Sequence, residues 1–238
     1  MTLEIKVFTL YPEMFPGPLS SSLLGRAMNN QVWSLETVNI RDFALDVHKT
    51  VDDRPCGGGP GMVLKPDVID RALKFHYTMA PTSLIYLSPR GIPLTQDRVK
   101  KLAQSPSLGL LCGRFEGVDQ RILETWPFEE VSIGDFVLTG GELPAMMLID
   151  ACVRMIPGVL GSFDSLKEES FTDNLLEYPQ YTRPRLWQGC QVPEVLLQGD
   201  HQKVNLWRRQ QAEEITRKRR PDLWHKYCAI QDDKKGKS

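Results

Sequence analysis

No stretch of this 238-residue sequence approaches the ~20 consecutive apolar residues that a bilayer-spanning helix needs. The first ten residues place Glu4 and Lys6 inside their apolar run, so no secretory leader is expected. There is no Cys-x-x-Cys among Cys56, Cys112, Cys152, Cys190 and Cys228. Zinc ribbons and redox pairs are therefore unsupported, and a reducing cytoplasm is the expected compartment. Neither Gly-x-Gly-x-x-Gly nor the P-loop pattern occurs, so dinucleotides and nucleoside triphosphates lack their usual signatures. Internal repeats are absent too.

What is present is ordinary globular composition, 41% hydrophobic and 25% charged, enough for one large domain or two small ones. The net charge of −1 hides an asymmetry. Residues 201–238 hold 11 Lys and Arg against 5 Asp and Glu, whereas the remainder holds 18 against 25. A basic end on an acidic body points to a polyanionic partner for that end. Lys203, Arg208, Arg209, Arg217, Lys218, Arg219 and Arg220 are its candidate phosphate contacts. A solvated helical face is the bland alternative.

Apolar, β-branched runs predict strands at 3–10, 33–40, 83–88, 108–112 and 129–133. Helical patterns lie between them at 20–30, 66–76, 95–104, 118–125 and 142–156, with Pro66 at a first helical position and Thr95 as an N-cap. This alternation predicts a mostly parallel sheet with helices on both faces. The polar run Gly161–Asn174 loses the apolar period and reads as a linker or mobile loop. Beyond Pro184 the chain turns helical and basic, at 201–219 and 221–230.

Three consecutive strands run into glycine-bearing loops: Ser88-Pro89-Arg90-Gly91, Gly113-Arg114-Phe115-Glu116-Gly117, and Ile133-Gly134-Asp135-Phe136 followed by Thr139-Gly140-Gly141. Open α/β sheets bind ligands beyond the carboxyl ends of their strands. Glycines there let backbone approach a ligand or take positive φ. Any one loop reads as a tight turn; three in a row read as one site around a flat ligand. Asp52–Gly61 is a further Gly- and Pro-rich segment that excludes helix and central strand. Its composition fits a shaped surface loop near a substrate and a loop held by turns equally well.

Several strings together resemble the bacterial tRNA (guanine-N1)-methyltransferases. They include Tyr11-Pro12-Glu13-Met14-Phe15, His48-Lys49-Thr50-Val51-Asp52-Asp53-Arg54-Pro55 and Gly57-Gly58-Gly59-Pro60-Gly61-Met62. Leu111–Asp119, Ser132–Ala145, Ile156–Gly161 and Tyr181-Thr182-Arg183-Pro184 extend the match over nearly the whole chain. The resemblance implies a SPOUT-class α/β methyltransferase with a deep trefoil knot at 1–160, an interdomain linker at 161–174 and a small all-helical tRNA-binding domain at 175–238. It implies a homodimer with active sites at the subunit interface, and S-adenosylmethionine as methyl donor. The substrate implied is N1 of the guanosine just 3′ of the anticodon. Cofactor contacts are implied for Tyr86, Leu87, Ser88 and Pro89; for Gly113, Glu116 and Gly117; and for Ile133, Gly134, Asp135, Phe136, Val137, Leu138, Gly140, Gly141 and Pro144. Magnesium dependence is implied as well, although no compact acidic cluster marks a site for it. Where many relatives read Gly-Leu-Leu-Asp-Cys-Pro-His-Tyr, this chain reads Asn174-Leu175-Leu176-Glu177-Tyr178-Pro179-Gln180-Tyr181, which departs at Asn174, Glu177 and Gln180.

Methylation at guanine N1 requires loss of the ring proton. The resemblance places the base at Asp173 and a catalytic arginine at Arg154. A free aspartate, of pKa ~3.9, is a weak base for that proton. Negative charge growing on the guanine carbonyl oxygen must therefore be stabilised, which suits Arg154. Arg154 also stands out unaided, as a charge in an apolar helix that a helix-end salt bridge would otherwise explain. Two alternatives remain: a related knotted enzyme acting on a ribose hydroxyl or another base, and an RNA-binding module without catalysis.

Overall fold

The computed structural model describes residues 2–77, 83–161 and 168–235, with side chains described to 233. The chain divides into two compact units, 1–161 and 162–238.

In the first unit, β1 (Leu3–Thr9), β2 (Trp33–Asn39), β5 (Ser83–Pro93), β6 (Ser107–Cys112) and β7 (Phe128–Ser132) form one sheet in the order β2-β1-β6-β5-β7. Every pairing in it is parallel. Alternation along the strands sends side chains to two cores. Ile5, Val7, Ile85, Leu87 and Leu110 face one core together with Val99, Leu102, Leu148, Ile149 and Cys152, from α3 (Gln96–Leu102) and α5 (Glu142–Val153). Phe8, Leu84, Tyr86 and Leu111 face the other together with Val68, Ile69, Leu73 and Ile122, from α2 (Pro66–His76) and α4 (Gln120–Thr125). Each fully buried Leu or Ile contributes roughly 1.5–3 kcal/mol, so both faces of the sheet are held by burial. The sheet is legible as expected, with both faces covered. The helix α1 (Ser22–Asn29) and the short antiparallel pair β3 (Asp52–Asp53) and β4 (Val63–Leu64) complete the unit.

Local chemistry sets the element ends. The Thr95 side chain accepts from Arg98 N, and the Asp119 side chain accepts from Arg121 N at 2.9 Å. The latter cap starts α4 at Gln120 rather than at 118, because Val118 is bridged to Leu64. Strand β5 runs past Ser88 to Pro93: Leu87 and Ile92 both pair with Val131, so Ser88–Gly91 is a bulge inside the strand rather than a loop after it. Gly91 is required there, because a Cβ would lie 2.5 Å from Glu130 C and Val131 C.

In the second unit, α6 (His201–Arg219) and α7 (Pro221–Lys235) meet at Arg220 and bury Ala212, Thr216, Leu223 and Tyr227. Asp200 caps α6 by accepting from Gln202 N and Lys203 N. The unit is not wholly helical. A hairpin of β8 (Leu186–Trp187) and β9 (Cys190–Gln191) turns on Gln188 and Gly189, with φ of 50° and 79°. Positive φ at both central residues is the geometry that lets a two-residue turn follow the twist of the strands. A glutamine at the first of them hid the turn in the sequence.

Candidate active site

The order β6-β5-β7 makes the three glycine segments neighbours at one end of the sheet. They enclose a cleft of about 350 Å³, within the range of small-molecule sites. Tyr86, Leu87, Ser88 and Pro89 line it from β5; Gly113, Glu116 and Gly117 from the segment after β6; and Ile133, Gly134, Phe136, Val137, Leu138, Gly140, Gly141 and Pro144 from the segment after β7 and the first turn of α5. Asp135 is the exception. It is exposed at the tip of a tight turn in which Phe136 N donates to Gly134 O at 3.0 Å, and it lies outside the lining.

The glycines serve protein packing as much as ligand approach. A Cβ on Gly113 would lie 2.9 Å from the Tyr86 ring, and one on Gly141 would lie 2.8 Å from Cys112 Cα. That closeness allows Gly141 N to donate to Gly113 O at 2.9 Å, tying the third segment to the second across the end of β5. Burial pushes the Tyr86 phenol above its ordinary pKa, with the charge of Arg90 opposing. Phe115 takes φ of 59° between these glycines.

The Gly-rich segment is a surface loop held by turns and backbone hydrogen bonds. Its base is laced to the second segment: Glu116 N donates to Met62 O, Leu64 N to Gly117 O and Asp119 N to Leu64 O. Its tip holds Gly57, Gly58 and Gly59 at positive φ in open space, with Gly58 N donating to Pro55 O. Sequence reasoning did not single out Arg90, Arg114 and Thr139, which also line the cleft. The signal for Arg114 was its place between two glycines of one short loop.

Within the first unit, Arg154 does not line the cleft. Arg154 is half-buried and forms the C-cap of α5. The 12 residues of α5 separate it from the cleft rim at Gly141, a rise of roughly 18 Å. Asp173 belongs to the second unit, exposed, in a turn where Phe171, Asp173 and Asn174 all have positive φ. That turn is hydrogen-bonded. Phe171 N donates to Leu175 O at 2.7 Å, Glu177 N to Ser170 Oγ at 3.0 Å, and Leu176 N to Thr216 Oγ1 on α6 at 2.8 Å. Residues 162–167 of the expected linker lie outside the described residues. Of the divergent positions, Gln180 Nε2 donates to Glu177 Oε1 at 2.6 Å.

Four of the seven candidate phosphate contacts already have carboxylate partners: Lys203 with Asp200, Arg208 with Glu168, Arg209 with Glu213 and Arg220 with Asp222. Arg217, Lys218 and Arg219 are exposed and have none among the described residues. No group of three or more His, Cys, Asp or Glu side chains among the described residues is placed to hold a metal ion.

Residues 3–226 match the family described as tRNA (Guanine-1)-methyltransferase TrmD. A tRNA (guanine-N(1)-)-methyltransferase of Rhodospirillum rubrum is 56% identical over 229 residues, covering 96% of this chain and 95% of that one. Proteins of the same name from Rhodopseudomonas palustris and Ehrlichia canis are 57% and 54% identical, over 94% of this chain and 90% and 96% of theirs. A match of this extent takes in every segment of the cleft as well as Arg154 and Asp173, and the chain belongs to the tRNA (guanine-1)-methyltransferase family.

Proposed function

We propose that this protein transfers a methyl group from S-adenosylmethionine to N1 of the guanosine immediately 3′ of the anticodon in tRNA. The observation that carries the reading is the cleft at the carboxyl ends of three adjacent parallel strands, in a chain of this family. Its lining fits the cofactor. Leu87, Ile133, Leu138 and Pro144 offer apolar surface for a flat base. Glu116 offers negative charge to a cationic ligand. When bound, S-adenosylmethionine supplies an electrophilic methyl group and its own leaving group.

In this reading Asp173 takes the N1 proton and Arg154 stabilises the charge that grows on the guanine carbonyl oxygen. The position of Arg154 at the far end of α5 supports a site assembled from two chains, one giving the cleft and the other Arg154 or Asp173. Exposed Phe136 and Val137 in the cleft lining, with exposed Leu143 and Met147 on α5, offer apolar surface for a second copy. The return of the 139–141 segment across β5 to Gly113 supports a knotted path for residues 1–160. Residues 175–238 then serve as the tRNA-binding part and 161–174 as the linker carrying the base. The cytoplasm is the compartment that fits. Magnesium dependence belongs to the same reading, as the family resemblance implies it.

Titration with S-adenosylmethionine tests the cleft directly. Binding that is lost in Gly141→Val but kept in Asp173→Asn supports the assignment; undiminished binding by a folded Gly141→Val protein contradicts it.

A further inference from the structure

Behind the cleft wall, residues far apart in sequence close a ring. Glu142, the first residue of α5, is 1% exposed. Its Oε1 accepts from Thr9 Oγ1 at 2.7 Å, and its Oε2 lies 2.9 Å from Arg114 Nε. Thr9 Oγ1 in turn accepts from Tyr11 N at 2.9 Å, and the Arg114 guanidinium carbon stands 4.2 Å from the centre of the Tyr11 ring. Arg114 Nη1 also reaches Thr139 O at 3.4 Å, and Arg114 is bridged to Gly140. A Cβ on Gly140 would lie 2.6 Å from Glu142 Oε2. Glycine at 140 therefore makes room for this ion pair.

A buried ion pair is weak evidence for stability, since apolar residues of the same volume often serve as well. The placement here is what carries meaning. Arg114 lines the cleft and Glu142 does not. Arg114 Nε and Glu142 Oε2 have no aligned hydrogen bond, so charge and the Thr9 hydroxyl, rather than a rigid fork, hold the pair. Arg114 spans the second and third segments, and the carboxylate fixes it from beneath.

We propose that Glu142 is a positioning residue for cofactor binding: with Thr9 it holds Arg114 across the second and third segments, so that they form one wall of the cleft. The inference rests on the reading of the cleft as the S-adenosylmethionine site. Loss of the Glu142 charge leaves Arg114 without its anchor and loosens that wall before any chemistry occurs. The effect falls on cofactor affinity rather than on the methyl-transfer step.

The test is calorimetric titration of S-adenosylmethionine into wild type, Glu142→Gln and Thr9→Val, with KM and kcat measured on tRNA. Glu142→Gln keeps the side-chain size and the Thr9 hydrogen bond and removes the charge. Its Kd and its KM for S-adenosylmethionine are expected to rise about 10-fold or more, while kcat at saturating cofactor falls less than about 3-fold, the pattern of lost uniform binding. Adding Arg114→Gln to Glu142→Gln is expected to raise Kd no further than the worse single variant, because the two residues act as one unit. A folded Glu142→Gln protein with wild-type Kd would overturn the proposal, as would a fall in kcat with KM unchanged. Should Glu142→Gln not fold, Thr9→Val carries the test: a rise of about 3-fold in Kd supports the proposal and an unchanged Kd overturns it. A wild-type protein that binds no S-adenosylmethionine overturns the cofactor reading and this inference together, whereas wild-type binding with an insensitive Glu142→Gln overturns the inference alone.

Discussion

Gly141 N donates a 2.9 Å hydrogen bond to Gly113 O, although 27 residues separate the two and β5 lies between their strands. That bond joins two walls of the cleft, and a Cβ at Gly141 would meet the Cys112 backbone, which cannot move aside. Gly113 faces the Tyr86 side chain instead. Gly141→Ala is therefore expected to cost more than Gly113→Ala. Overpacking of this kind costs about 1–3 kcal/mol, or roughly 2–10 °C in Tm for a chain of this size. Thermal unfolding of both variants checks the order, and equal Tm values would contradict it.

The seven basic residues of α6 and its end separate into two sets. Neutralising Arg217, Lys218 and Arg219 together is expected to weaken tRNA binding and to reduce the slope of log K against log salt by about 2, at ~0.7–0.9 per phosphate contact. Neutralising Arg208 and Arg209 is expected to leave that slope within error. Those two are held by Glu168 and Glu213, and the same carboxylates bind Tyr178 and Tyr227. Filter binding at several salt concentrations distinguishes the sets, and equal slopes for both variants would contradict the separation.

Thiol reactivity follows burial. Cys56 and Cys190 are exposed, Cys112 and Cys152 are buried, and Cys228 lies between. Burial pushes the Cys152 thiol up to about 12 and holds Cys112 well above its ordinary range. Alkylation at pH 8 is expected to label Cys56 and Cys190 rapidly in the native protein and all five cysteines only after unfolding. Mass spectrometry of peptides gives the readout, and fast native labelling of Cys112 would contradict its burial in the core beside Gly141.

Much of the fold was legible because the sheet is buried on both faces. Apolar runs such as Leu3–Thr9 and Ser107–Cys112 leave little ambiguity, and Pro66 and Thr95 sit where helices begin. The bulge at Ser88–Gly91 was not legible, since its composition is that of a turn and only pairing with Val131 reveals it. The positions of the cleft residues were legible from glycines after strands. Their reason was not: Gly113, Gly140 and Gly141 answer to Tyr86, Arg114 and Cys112, contacts that chain order does not display. The ring of Thr9, Tyr11, Arg114 and Glu142 was hidden for the same reason.

Asp173 is expected to act through chemistry rather than binding. Asp173→Asn should lose methyl transfer by ~100-fold or more, the scale of general-base catalysis, with cofactor affinity barely changed. If Arg154 and Asp173 of one site come from different chains, mixing Asp173→Asn with Arg154→Ala gives mixed dimers with one intact site, which regain about half the wild-type activity per dimer. Single-turnover methyl transfer measures both. Near-wild-type turnover by Asp173→Asn would remove it as the base.

The most direct measurement is the identity of the methylated nucleoside. Purified protein, tRNA transcript and methyl-labelled S-adenosylmethionine are incubated together. The tRNA is then digested, and the labelled nucleoside is identified and mapped. The account predicts 1-methylguanosine at the position immediately 3′ of the anticodon, and no label when that guanosine is replaced by adenosine. Label on a ribose hydroxyl, on another base, or nowhere in the tRNA would contradict it.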